Sequence, residues 1–128
     1  MKIHVPALFM LFCLPIVGFA DPATECGGGS QVEISACVSN TLDRIDATIE
    51  IYLDFAKTSA DELDTVTGRS VTAPALEAAQ EAWSAYRDAQ CDYVGATFGG
   101  GSGTGIAIES CKIELGRARA QDLRRYIE

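Results

Sequence analysis

Ser30 to Ala56 reads SQVEISACVSNTLDRIDATIEIYLDFA, and the spacing of its apolar residues decides the fold. Val38, Leu42, Ile45, Ile49, Tyr52, Leu53 and Ala56 recur every three or four positions, while Asp43, Asp46, Glu50 and Asp54 fall off that stripe. A period near 3.6 gathers the first set on one side of a helix, so the stretch is an amphipathic α-helix of about eight turns. Ser30 with Glu33 three residues later is a capping-box pattern, in which each side chain accepts from the other residue's backbone amide, and it marks the helix start. Ser59 and Glu62 repeat the pattern, which predicts a separate short helix through Leu63 and Val66, ending at Gly68.

Downstream, Arg69 to Ala73 reads as a connection, and Pro74 suits a first helical turn. From there to about Ala96, Leu76, Ala79, Trp83, Tyr86, Gln90 and Val94 recur along one side of a second long helix. In Phe98 to Gly105 five of eight residues are glycine, each costing a helix about 1 kcal/mol relative to alanine, so this is a loop. Helical spacing resumes from Ile106 to Ile127 through Ile108, Cys111, Leu115, Ala118, Leu123 and Tyr126, and Arg124 and Arg125 suit the negative end of the helix dipole. No run of alternating β-branched residues with a hairpin turn is present. The expected fold is all-α: an antiparallel bundle of three long helices and one short helix.

Upstream, Asp21 to Gly29 is polar and glycine-rich. Residues 1–20, MKIHVPALFMLFCLPIVGFA, have a basic start, an apolar stretch and small residues before Asp21, the pattern of a secretory signal peptide cleaved after Ala20. The apolar run is shorter than the roughly 20 residues a bilayer needs, and Pro15 interrupts it. Met10-Leu11-Phe12 ahead of Cys13 is too bulky for a lipid-attachment site, so Cys13 is expected to leave with the leader. The mature domain is then residues 21–128, with nine basic against eighteen acidic residues. Such a surface disfavours nucleic acid and anionic lipid and would steer a basic protein toward it.

Four cysteines remain, Cys26, Cys37, Cys91 and Cys111, and an even set in an oxidising compartment is expected to form disulfides. A zinc site is disfavoured, because the gaps hold 10, 53 and 19 residues and no C-x-x-C pair or histidine accompanies them. Of the three possible pairings, Cys26 with Cys37 and Cys91 with Cys111 is favoured, since each ties a helix end to its adjoining loop.

The single histidine, His4, lies in the leader, so the mature chain has no imidazole for a nucleophile's base, a proton shuttle or a metal. Ser110 and Lys112 are two positions apart and point to different faces of a helix. Asp88 and Asp92 share one helix face, and Asp61, Glu62 and Asp64 form a local cluster; neither sets two carboxylates across a cleft, as glycoside hydrolysis needs. Neither calcium-loop spacing nor a phosphate-cradling lysine after the glycine loop is present. No catalytic, metal or cofactor site is expected.

The densest local signal is Ala79 to Cys91, AQEAWSAYRDAQC, where Trp83, Tyr86, Arg87, Gln90 and Cys91 recur at helical spacing. One reading sets Trp83 and Tyr86 in the core with Arg87 paired to an acidic residue of another helix; the other makes Tyr86, Arg87 and Asp88 a partner-binding patch. In this stretch the chain resembles the lysozyme inhibitor LprI-like family of secreted bacterial domains, through Gln80, Trp83, Tyr86, Arg87, Asp88 and Cys91, then the glycine loop, then Cys111, Arg119 and Leu123. Cys26 and Cys37 fit the family's opening, and Tyr52 agrees, whereas Thr48, Ile49 and Gly116 depart from its usual residues. The resemblance implies a helical, disulfide-bonded envelope domain, one lipoprotein relative being associated with lysozyme inhibition. The expected function is a secreted or periplasmic non-catalytic binding protein acting on a basic partner such as a c-type lysozyme. The alternatives are an envelope accessory or small-ligand-binding protein, and a hydrolase using Asp88.

Overall fold

The computed structural model describes residues 21–127, so the leader and Cys13 lie outside the described residues. Four helices follow one another: α1, Pro22–Glu25; α2, Gln31–Thr67; α3, Thr72–Ala96; and α4, Thr104–Arg124. Among the described residues every regular element is helical, and no helix is long and apolar enough to cross a membrane.

The capping box at the start of α2 forms as its pattern requires. The Ser30 hydroxyl accepts from the Glu33 amide at 3.3 Å, and the Glu33 carboxylate accepts from the Ser30 amide at 2.8 Å. The Ser30 amide, and secondarily its hydroxyl, hold the Glu33 carboxyl below its ordinary pKa. On α2 the expected stripe faces inward, with Val38, Ile49 and Ala56 buried and Leu42, Ile45, Tyr52 and Leu53 half-buried.

The short helix expected at Ser59 is not separate: α2 runs unbroken for 37 residues. The Ser59 hydroxyl donates to the Phe55 carbonyl at 3.2 Å, one turn back within the helix, instead of capping a new one. No glycine or proline interrupts the chain before Gly68, where a left-handed φ of 68° ends the helix. The short helix of the bundle is α1 instead, within the polar, glycine-rich segment before Ser30. Asp21 caps it by accepting from the Thr24 amide at 3.2 Å, and Pro22 is fully buried.

The connection from α2 to α3 is shorter than expected, because α3 begins at Thr72. Its N-cap residue, Val71, offers no side-chain acceptor. Asp64 of α2 does so from across the turn, accepting from the Thr72 amide at 2.9 Å and the Ala73 amide at 3.0 Å. Burial alone would raise the Asp64 pKa. The amides of Ala73, Thr72 and Val71 and the Thr72 side chain outweigh it and lower the value to about 2. At the far end, α4 starts at Thr104 and ends at Arg124, slightly earlier at both ends than the periodicity suggested.

Inter-helix pairs fix the topology. Asp46 meets Arg87 and Lys57 meets Glu77, so α3 runs antiparallel to α2. Arg119 meets Gln80 and Lys112 meets Asp88, so α4 runs antiparallel to α3. Helices α2 and α4 are therefore parallel neighbours, in contact from Ser39 with Glu109 at one end to Ala56 with Leu123 at the other. Gly116 allows their close approach, since a Cβ there would stand 2.5 Å from Cγ2 of Ile45. Gly95 does the same for α3 against Ile108 of α4.

Both disulfides form in the favoured pairing, Cys26–Cys37 and Cys91–Cys111. The first ties α1 to the opening turns of α2. The second lies in the core between α3 and α4, with Cys91 fully buried. Arg117 of α4 holds α1 from the other side, its two terminal nitrogens donating to the Glu25 carboxylate at 2.9 and 2.6 Å. Hydrogen bonding to Arg117 keeps the Glu25 carboxyl below its ordinary pKa.

Candidate functional site

The residues of the Ala79–Cys91 stretch divide between two roles according to where the helix aims them. Successive residues are about 100° apart around a helix axis, so Tyr86, Arg87 and Asp88 cannot share a face. Arg87 turns inward, its side chain 14% exposed, and donates to Asp46 of α2 at 2.6 Å. Its guanidinium lies over the Trp83 ring at 4.9 Å, and that of Arg119 lies over the same ring at 5.8 Å. Arg119 also donates to the Gln80 amide oxygen at 2.9 Å. Buried Arg87 Nε and Arg119 Nη2 have no hydrogen-bond acceptor, and the negative face of the indole lies beside both groups. Trp83 packs with Ile45, Tyr52 and Leu76 against the core. Trp83 and Arg87 therefore take the expected core arrangement, whereas Tyr86 does not: it is 55% exposed.

Asp88 is exposed and meets Lys112 at 2.9 Å; that hydrogen bond, which outweighs the opposing effect of burial, and then the charges of Lys112 and Arg87 lower its pKa. Ser110 is buried while Lys112 reaches toward Asp88, so the two diverge. Asp61 and Glu62 are exposed, and Asp64 is occupied in capping α3.

A groove of about 540 Å³ runs along α4, and another of about 620 Å³, which includes Asp88, lies between α2 and α3. In the groove along α4, Tyr86, Gln90 and Val94 of α3 form one wall, and Asp21 and Ala23 with Gln31 and Ile34 of α2 form the other. Its floor is Ile106, Ala107, Ser110 and Cys111, with Phe98 at one end and Glu114 at the rim. The Ser110 hydroxyl is buried without a hydrogen-bond partner. Both disulfides brace the site, since Cys111 is part of the floor and Cys26–Cys37 anchors the wall containing Ala23. Apart from Tyr86, no groove residue was singled out as a contact from the sequence. They come from four separate segments with no shared local pattern, and the exposed aromatic was the one available signal.

These features define a disulfide-braced, all-helical module with an apolar, acid-rimmed groove and the Trp83–Arg87–Arg119 stack as its internal clamp. The chain belongs to the LprI family, described as lysozyme inhibitor LprI, whose profile matches residues 23–123. An uncharacterized protein of Rhizobium meliloti (strain 1021) is 30% identical over 135 residues, an alignment covering 100% of this chain and 97% of that one. No solved structure matches the chain significantly.

Proposed function

We propose that this protein is exported after cleavage of residues 1–20 and acts in the periplasm or outside the cell as a non-catalytic inhibitor of lysozyme, binding it through an acidic surface. Besides family membership, the observation that carries this reading is an imbalance in how the charges are used. Lys57, Arg87, Lys112, Arg117 and Arg125 are engaged in ion pairs within the chain. Among the described residues Asp43, Glu50, Asp54, Asp61, Glu62, Glu81, Asp92 and Glu114 are exposed without such a pair, against Arg44, Arg69 and Arg124 of the basic residues. The surface thus offers unneutralised carboxylates, the complement of a basic protein such as a c-type lysozyme and a mismatch for nucleic acid. Tyr86 and Asp88 are at the surface, while Arg87 is engaged inside with Asp46 and Trp83.

The test is lysis of cell walls by a c-type lysozyme with increasing amounts of the purified protein. Lysis slows at low ionic strength, and the inhibition weakens as salt shortens the Debye length to about 8–10 Å. Undiminished lysis at excess protein in low salt overturns the reading.

A further inference from the structure

We propose that the contact with the basic partner is made by the groove along α4, which receives an apolar side chain flanked by lysine or arginine on the partner's surface; this rests on the inhibitor reading above. The floor is apolar at Ile106 and Ala107, with the Ser110 hydroxyl buried beneath it. The charged residues that line the groove, Asp21 and Glu114, are both negative. Glu114 is exposed, and among the described residues no lysine or arginine lines the groove, while Arg117, paired with Glu25, lies near enough to feel the Glu114 charge.

Two exposed aromatics, Tyr86 and Phe98, flank the floor, and large aromatic side chains are the common anchors of protein interfaces. The groove is open along its length, which suits a protruding protein segment better than a small molecule that must be mostly enclosed. Its walls are already braced by the two disulfides, so little conformational freedom is lost on binding. The outer face of α2 is also acidic and exposes Ile51 and Phe55, but its recess, lined by Thr58, Asp61, Glu62, Thr65 and Val66, is shallower and has no aromatic side chain in its lining.

Binding of a c-type lysozyme to the exported protein is measured by calorimetry at low salt for the wild type and three variants. Ala107→Trp fills the floor, Glu114→Lys reverses the rim charge at an exposed position, and Glu50→Lys makes the same charge change on α2; circular dichroism checks that each is folded. Each groove variant is expected to weaken binding by about tenfold or more, and Glu50→Lys by less than about threefold. Wild-type affinity in folded Glu114→Lys, or an equal loss in Glu50→Lys, overturns the groove assignment while the inhibitor reading stands. A wild type that neither binds nor inhibits lysozyme removes both.

Discussion

At Gly116 the absence of one carbon sets the distance between two helices. A Cβ added there meets the Cγ2 methyl of Ile45, and a β-branched side chain in a helix has no alternative rotamer to yield with. Gly116→Ala therefore lowers stability by about 1–3 kcal/mol, although alanine is the better helix former by about 1 kcal/mol. Gly105, near the start of the same helix, has nothing within 4 Å of its added Cβ, so Gly105→Ala raises stability by up to about 1 kcal/mol. Urea unfolding of the two variants should show opposite signs. Asp64 makes a second prediction at this scale. Its folded pKa of about 2 lies below the ordinary 3.8, so its contribution is present above that ordinary value and fades as pH falls through 3.8 toward 2. Asp64→Asn should be less stable than wild type at neutral pH, with the gap in Tm closing over that acid range. A constant gap would show that its carboxylate charge is not what caps α3.

Between elements, the two crosslinks have unequal duties. Cys26–Cys37 closes 11 residues at the edge of the bundle, and Cys91–Cys111 closes 20 residues through the core. Loop entropy alone gives similar contributions, about 3 kcal/mol each. The difference lies in what each holds. Replacing Cys91 and Cys111 together by alanine also leaves a cavity in the core, where both are buried, so its cost should reach about 4–5 kcal/mol. Replacing Cys26 and Cys37 by alanine should cost about 2–3 kcal/mol. It should also release α1, which hydrogen exchange at Glu25 and Cys26 would register while the amides of α2 to α4 stay protected.

For the whole molecule, excess negative charge works against folding and for association. Raising salt from about 0.01 M to about 0.15 M shortens the Debye length from about 30 Å to about 8 Å, which screens repulsion among the unpaired carboxylates. The Tm should therefore rise over the interval in which lysozyme inhibition declines. A Tm that falls instead would show that the surface ion pairs outweigh the self-repulsion.

The three long helices were legible because amphipathic periodicity and caps are local: Ser30, Glu33 and the stripe from Val38 to Ala56 each act within a few turns, whereas the four residues of α1 are too few to show a period. The cysteine pairing was legible too, since each pair joins neighbouring segments. The false break at Ser59 came from a local pattern that satisfies two outcomes, a cap or a bond back to Phe55, between which only the uninterrupted helix discriminates. Tertiary packing alone decided that α2 and α4 lie parallel at Gly116, that Asp64 caps a helix to which it does not belong, and that Tyr86 faces outward while Arg87 meets Asp46. The groove belongs to the same class: its residues are distant in the chain, and their meeting depends on how three helices rotate against one another, which no local spacing encodes.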